Sequence, residues 1–194
     1  MDKVSYALGL NVGQNLLSSG FSQIEMASFQ QALEVVLKNG SPAISMQEAN
    51  QILQEHFSKL EAAKSESAIK DGEAFLSENG NRPGVNVLES GLQYEVITEG
   101  AGNQPRATDK VKCHYHGTLI DGTVFDSSVE RGEPAVFPVN GVIQGWVEAL
   151  QMMKVGSKWR MFIPPHLAYG SRGAGGVIGP HTTLVFDVEL IDIA

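Results

Sequence analysis

The chain has 194 residues, 42% of them hydrophobic, which is enough for a real core but does not decide between one large domain and a small domain with an extension. Its formal net charge is −8, with ten acidic and six basic groups in residues 1–87 and twelve and eight in 88–194, so neither half carries the basic stripe that a nucleic-acid partner needs. Cys113 is the single cysteine, which excludes an intrachain disulfide, and no run approaches the roughly 18 apolar residues of a membrane-spanning helix.

The first residues, MDKVSYALGLNVGQNLL, are broken by Gly9, Asn11, Gly13 and Gln14, too polar for a signal-peptide core. The expectation is a cytoplasmic protein, or a periplasmic or outer-membrane-associated one if a leader precedes this numbering. Val4, Leu8, Val12 and Leu16 recur every four positions, with Leu17 beside them, and mark the apolar face of a first helix. Gly9 and Gly13 lie four apart on a neighbouring strip and weaken that helix by about 1 kcal/mol each. Two readings stand: a frayed terminal helix, or a surface that another helix approaches closely. Ser22 and Glu25 form a capping box for a second helix, whose face is Phe29, Leu33, Val36 and Leu37 and which Asn39-Gly40 stops. Ser45 and Glu48 open a third, running from Met46 to Glu78, about 50 Å long at 1.5 Å per residue. Its apolar stripe thins beyond Leu60, so the second half is expected as a solvated rod joining two bodies. Helices with so little mutual surface make a weak domain alone. Two copies interleaved around the Gly9/Gly13 strip would share one core, and a homodimer through residues 1–40 is expected.

Asn81-Arg82-Pro83-Gly84 breaks the helix, and short runs separated by turn residues follow. Strands are expected at Leu92–Thr98, Lys110–Ile120, Val124–Ser127, Ala135–Val139, Ser157–Ile163 and Thr182–Ile191. Asp121-Gly122 between two of them is a hairpin signal. A short helix at Gly145–Met153 carries Trp146, Ala149, Leu150 and Met153 on one face. Antiparallel strands with one internal helix give an α+β fold, the helix covering the concave face of the sheet. The domains expected are a helical one at 1–87, with a connecting helix at about 46–78, and a β-rich one at 88–194.

Covalent chemistry finds no good candidate. His114 and His116 share a strand face and lack a third ligand at metal-binding spacing, so no metal and no cofactor is expected. Cys113 sits inside a strand rather than at a helix start, and GSRGAGG at 170–176 does not connect a strand to a helix as a dinucleotide loop requires; it is expected as a flexible loop bordering the site. The stretch GTVFDSSVERGEPAVFPVNGVIQGW at 122–146, with HLAYG at 166–170, sets bulky apolar side chains beside one aspartate and one tyrosine. Asp126 follows Phe125 in a segment suited to burial, where it either caps the Ser127-Ser128 turn or serves a site, with Arg131 placed to pair across the turn. Val142, Ile143 and Trp146 are either ordinary core or a pocket wall.

VFDSSVERGEP, VNGVIQGWVEAL, LAYG and TLVFDVEL, in that order, resemble the FKBP-type peptidyl-prolyl cis-trans isomerases over roughly residues 88–194. The helical front, SYALGLNVGQNL followed by a long helix, is similar to the bacterial subgroup that includes macrophage infectivity potentiator. The resemblance implies an antiparallel sheet wrapped around a short helix and rotation of X-Pro bonds without covalent chemistry. It gives Trp146 as the pocket floor, and Tyr115, Phe137, Val142, Ile143 and Phe186 as walls. Phe125, Val177 and Ile178 join them at matching positions. The Ile143 N–H and the Tyr169 hydroxyl would hold substrate carbonyls, and Asp126, oriented by Tyr115 and Arg131, would supply a fixed negative field. Ala135 and Ala174 stand where members often have larger side chains, and Gly179 where a proline is common. Implied partners are proline-containing peptides, unfolded proteins and macrolide inhibitors, with chaperone activity from the dimer. The competing reading is a proline-peptide-binding assembly factor without catalysis.

Overall fold

The computed structural model describes residues 1–21 and 23–194, which divide into two compact units, Met1–Ala62 and Ala63–Ala194. The first unit is helical: α1 (Lys3–Ser18), α2 (Met26–Leu37) and the opening turns of α3 (Met46–Asn79). The Asp2 carboxylate caps α1 by accepting from the Ser5 N–H at 2.7 Å, and Ser45 caps α3 through the Glu48 N–H at 3.1 Å. The proposed Ser22 end of the second capping box lies outside the described residues. The cap of α2 is Glu25 itself, whose carboxylate accepts from Ala27 and Ser28, so the helix starts at Met26. No residue of α1 or α2 is buried: Leu8 is 62% exposed, Leu17 65%, Val36 68% and Leu37 73%. Leu8, Val12, Leu16, Phe29 and Leu33 line a groove of about 970 Å³. Among the described residues nothing lies within 4 Å of where a Cβ on Gly9 or Gly13 would stand, so none of their other helices approaches that strip.

The second unit holds one antiparallel sheet in the order β1-β2-β6-β7-β3-β4, with β5 also on β3. Its strands are β1 (Val85–Val87), β2 (Gln93–Thr98), β3 (Lys110–Leu119), β4 (Val124–Ser127), β5 (Ala135–Pro138), β6 (Lys158–Ile163) and β7 (Leu184–Ile193). Strand β1 went unpredicted, and β7 starts two residues later than expected. The β3–β4 hairpin turns at Asp121-Gly122, where Gly122 adopts φ +86° and the Asp121 carboxylate accepts from the Thr123 N–H. One edge of β3 is shared by two strands, β5 along Lys110–Cys113 and β4 along His116–Thr118. Between them Ser128, fully buried, fills the gap: its Oγ accepts from the Tyr115 N–H at 2.7 Å, and its own N–H donates to the Tyr115 carbonyl at 2.9 Å.

Helix α4 (Gln144–Met152) lies in the concave face and puts Trp146, Ala149 and Leu150 into a core with Met161, Ile163, Leu184, Phe186 and Val188. Gly145 sets the depth of that contact, because a Cβ there would stand 2.6 Å from Ile163 Cγ2.

The latter turns of α3 correct the expectation of a solvated rod. Gly72 and Asn79 are buried, Phe75 packs on Phe162 with ring centroids 5.9 Å apart, and Asn79 Nδ2 donates to Gln93 Oε1 at 2.8 Å. Because side chains alternate along a strand, Phe162 faces away from Met161 and Ile163, and this stretch of helix covers the face of the sheet opposite α4. The two compact units part at Ala62/Ala63, inside the helix.

Candidate active site

The concave face opens into a cavity of about 560 Å³. Strand β3 contributes Tyr115, β4 Phe125 and Asp126, β5 Phe137, and β7 Phe186. The entry to α4 contributes Val142, Ile143 and Trp146, and the 164–183 connection Tyr169, Val177 and Ile178. Eleven of the twelve predicted residues thus line one space. Arg131 does not line it; it reaches the rim by pairing with Asp126. Gly141, Ala174 and Gly175 also line the cavity, beyond the twelve residues expected there. Gly141 and Gly175 have no side chain to carry a pattern, although Gly175, at φ +60°, lies in the glycine-rich loop expected to border the site.

Trp146, 4% exposed, is the base on which the other rings stand. Phe186, Tyr115 and Phe137 lie 5.3, 5.6 and 5.8 Å from it, centroid to centroid, at interplanar angles of 85°, 81° and 79°. Edge-to-face pairs of this kind set the positive rim of one ring against the negative face of the next. Gly117 makes room for the assembly, since a Cβ there would stand 2.7 Å from both Phe125 and Phe186.

Polar groups gather at one side. The Tyr115 hydroxyl donates to Asp126 Oδ2 at 2.6 Å, Arg131 Nη2 donates to the Tyr115 oxygen at 2.8 Å, and Arg131 Nη1 pairs with Asp126 Oδ1. Burial pushes the Asp126 carboxyl up, but the hydrogen bonds from Tyr115 and Arg131 and the nearby guanidinium charge outweigh it and hold the group below its ordinary range. Burial, then the bond to Asp126, raises the Tyr115 hydroxyl. Asp126 is therefore a carboxylate at neutral pH and Tyr115 a donor. Side-chain exposures of 44% and 51% for Asp126 and Arg131 give their ion pair little value for stability; it fixes direction instead.

Ile143 is the N-cap of α4, and its N–H has no acceptor among the described residues. It stands beside the positive end of that helix, suited to a carbonyl oxygen. The Tyr169 hydroxyl likewise has no partner among the described residues and is 40% exposed at the mouth. Val177, 49% exposed, forms the outer lip.

His114 and His116 turn to the serines after Asp126, with Nδ1 of each 3.1 and 2.9 Å from the Ser128 and Ser127 hydroxyls. Among the described residues no three His, Cys, Asp or Glu side chains are grouped to hold a metal. Burial pushes the Cys113 thiol up to about 12, the opposite of what a nucleophile requires.

The family described as FKBP-type peptidyl-prolyl cis-trans isomerase matches residues 102–191, and the one described as the domain amino terminal to FKBP-type peptidyl-prolyl isomerase matches residues 1–96. The chain is 48% identical to the FKBP-type 22 kDa peptidyl-prolyl cis-trans isomerase of Escherichia coli K12, over 98% of its own length and 94% of the relative's. It is 41% identical to outer membrane protein MIP of Legionella longbeachae, over 99% and 85%. The crystal structure of FkpA from Escherichia coli superposes with a TM-score of 0.80 at 35% identity, covering 98% of this chain and 95% of that one.

Proposed function

The chain belongs to the FKBP-type peptidyl-prolyl cis-trans isomerases, and we propose that its cavity lowers the rotation barrier by holding the proline ring on Trp146 with the amide in a dry, one-sided field. An X-Pro amide rotates over a barrier of about 20 kcal/mol because rotation breaks resonance. The planar amide is the more polar state, so removing water costs it more than it costs the twisted one. Tyr115, Phe137, Val142 and Phe186 exclude that water. The Ile143 N–H and the Tyr169 hydroxyl hold carbonyls on either side of the rotating bond. Asp126, aimed by Tyr115 and Arg131, acts on the developing charge as a fixed dipole rather than as an acid or base.

The observation that carries this reading is the division of the cavity into an aromatic floor and walls with the ionic cluster confined to one rim. Asp126→Ala and Tyr169→Phe are expected to lower kcat/KM in a proline-limited peptide assay by about tenfold or more with the fold intact. Unchanged rates would overturn these roles. A macrolide inhibitor would occupy the same cavity and compete with the peptide.

The exposed faces of α1 and α2 support a homodimer. The groove beside Gly9 and Gly13 is unfilled by its own chain, and a second copy would bury Leu8, Leu17 and Leu33. Two pockets could then engage one unfolded client and raise its effective concentration, which is the chaperone reading. Light scattering on the full chain should give twice the 20.9 kDa chain mass, and Leu8→Glu should shift it to a monomer. A monomeric parent chain would end the proposal.

No helix is long and apolar enough to cross a membrane among the described residues. The cytoplasmic expectation gains no support from the comparisons. One relative is named an outer membrane protein, which supports the alternative of an exported protein.

A further inference from the structure

Behind the loop that carries Tyr169 lies a second cleft, of about 540 Å³. Ile69, Gly72 and Leu76 of α3 form one wall, and Pro165, Gly170 and His181 belong to the other. At its base Thr183, 1% exposed, points a hydroxyl with no partner among the described residues at Gly72, where a Cβ would stand 2.6 Å from Thr183 Oγ1. A glycine inside a helix and an unpaired buried hydroxyl are each unfavourable alone. Here both occur at one point, where the helix meets the start of β7.

That point is wired to Tyr169 by short backbone bonds. His181, held at φ +56°, donates its N–H to the Gly170 carbonyl at 2.8 Å, and Gly170 donates to the Pro165 carbonyl at 2.9 Å. Residues 181–183 are therefore tied to Gly170, the residue next to Tyr169, and Gly170 in turn to Pro165. We propose that Gly72 and Thr183 are positioning residues for the isomerase reaction: the close seat of α3 on Thr183 fixes segment 181–183, and through it the Tyr169 hydroxyl over the cavity. This rests on the reading that Tyr169 holds a substrate carbonyl.

Gly72→Ala in the full chain tests it, because the added methyl must lift the helix or displace Thr183. A displacement of this kind is expected to lower kcat/KM in the proline-limited peptide assay about tenfold, mainly through KM, while circular dichroism keeps its native form. Adding Thr183→Ala removes the oxygen in the way and is expected to restore the rate. In a Tyr169→Phe background Gly72→Ala should cause no further loss. An unchanged kcat/KM, or an equal loss in that background, overturns the inference. Should Tyr169→Phe alone leave the rate intact, the underlying reading of Tyr169 fails instead. Ile69→Ala, on the same wall and 40% exposed, keeps the test open if Gly72→Ala folds poorly; a smaller loss that also vanishes in the Tyr169→Phe background supports the inference, and a persistent one overturns it.

Discussion

Replacing Gly117 by alanine should damage the pocket more than the fold. Gly117 stands near the C-terminal end of β3, paired with Asp126 on one side and Phe186 on the other. An added methyl would stand 2.7 Å from Phe125 Cε2 and Cζ and 2.7 Å from Phe186 Cε1. Carbon atoms in contact prefer about 3.5–4.0 Å, so the rings must retreat by roughly 1 Å. Both rings line the cavity, so retreat moves them into the substrate space: Phe186, 5% exposed, is held edge-to-face against both Phe125 and Trp146. Overpacking of this kind costs about 1–3 kcal/mol, offset by about 0.5–1 kcal/mol because alanine narrows the unfolded ensemble. A net loss of about 1–2 kcal/mol leaves the β unit folded. The same shift in two cavity walls is on the scale at which catalysis falls by about a hundredfold. Urea unfolding followed by tryptophan fluorescence, beside the peptide assay, separates the two effects. A variant with parental kcat/KM would show that the walls do not need their places, and the argument from Gly117 would fall.

The acid limb of activity offers a second check. Because the Asp126 pKa is depressed in the folded protein, its charge and ion pair persist through neutral and mildly acidic pH and are lost only as pH falls through the lowered value. Isomerase activity should hold down to about pH 4, the ordinary carboxylate pKa, and decline below it, whereas Asp126→Asn should show low activity without that decline. Thr183→Val exchanges the unpaired hydroxyl for a methyl of similar size and should raise stability by about 1 kcal/mol; a comparable loss in urea titration would reveal a partner for the oxygen. Cys113, fully buried with its thiol raised to about 12, should resist alkylation at pH 8 until the protein is unfolded, and rapid native labelling would contradict that burial.

The sheet was readable because most of its strands are long enough for alternation to show. Val111, Cys113 and Tyr115 point inward from β3 while Lys110, Lys112 and His114 do not, and Asp121-Gly122 marks its turn. Strand β1 has three residues and pairs only with β2, too short to carry a period. The latter turns of α3 misled for a different reason. Beside Phe75, which packs on Phe162, their contacts are made by Gly72, whose contribution is the absence of a side chain, and by Asn79, whose amide satisfies Gln93, so an apolar stripe announces them only in part. Ser22 and Glu25 matched a cap pattern, yet a carboxylate reaching Ala27 and Ser28 starts the helix later. At the site, the aromatic residues and Asp126 were named through linked motifs, whereas Gly141 and Gly175 line the cavity with backbone.

The shared edge of β3 has a consequence for how its protons behave. No strand residue lies opposite Tyr115 on that side, and a ladder interrupted there would ordinarily let the amide exchange with solvent. Ser128 closes the opening with one accepted and one donated bond. The Tyr115 amide is thus bonded at the break between two neighbouring strands and should exchange as slowly as its paired neighbours, although no strand covers it. A side chain of two heavy atoms does there what a strand does elsewhere, so the 129–134 turn need not pair with β3 and is left to place Arg131 against Asp126 and Tyr115.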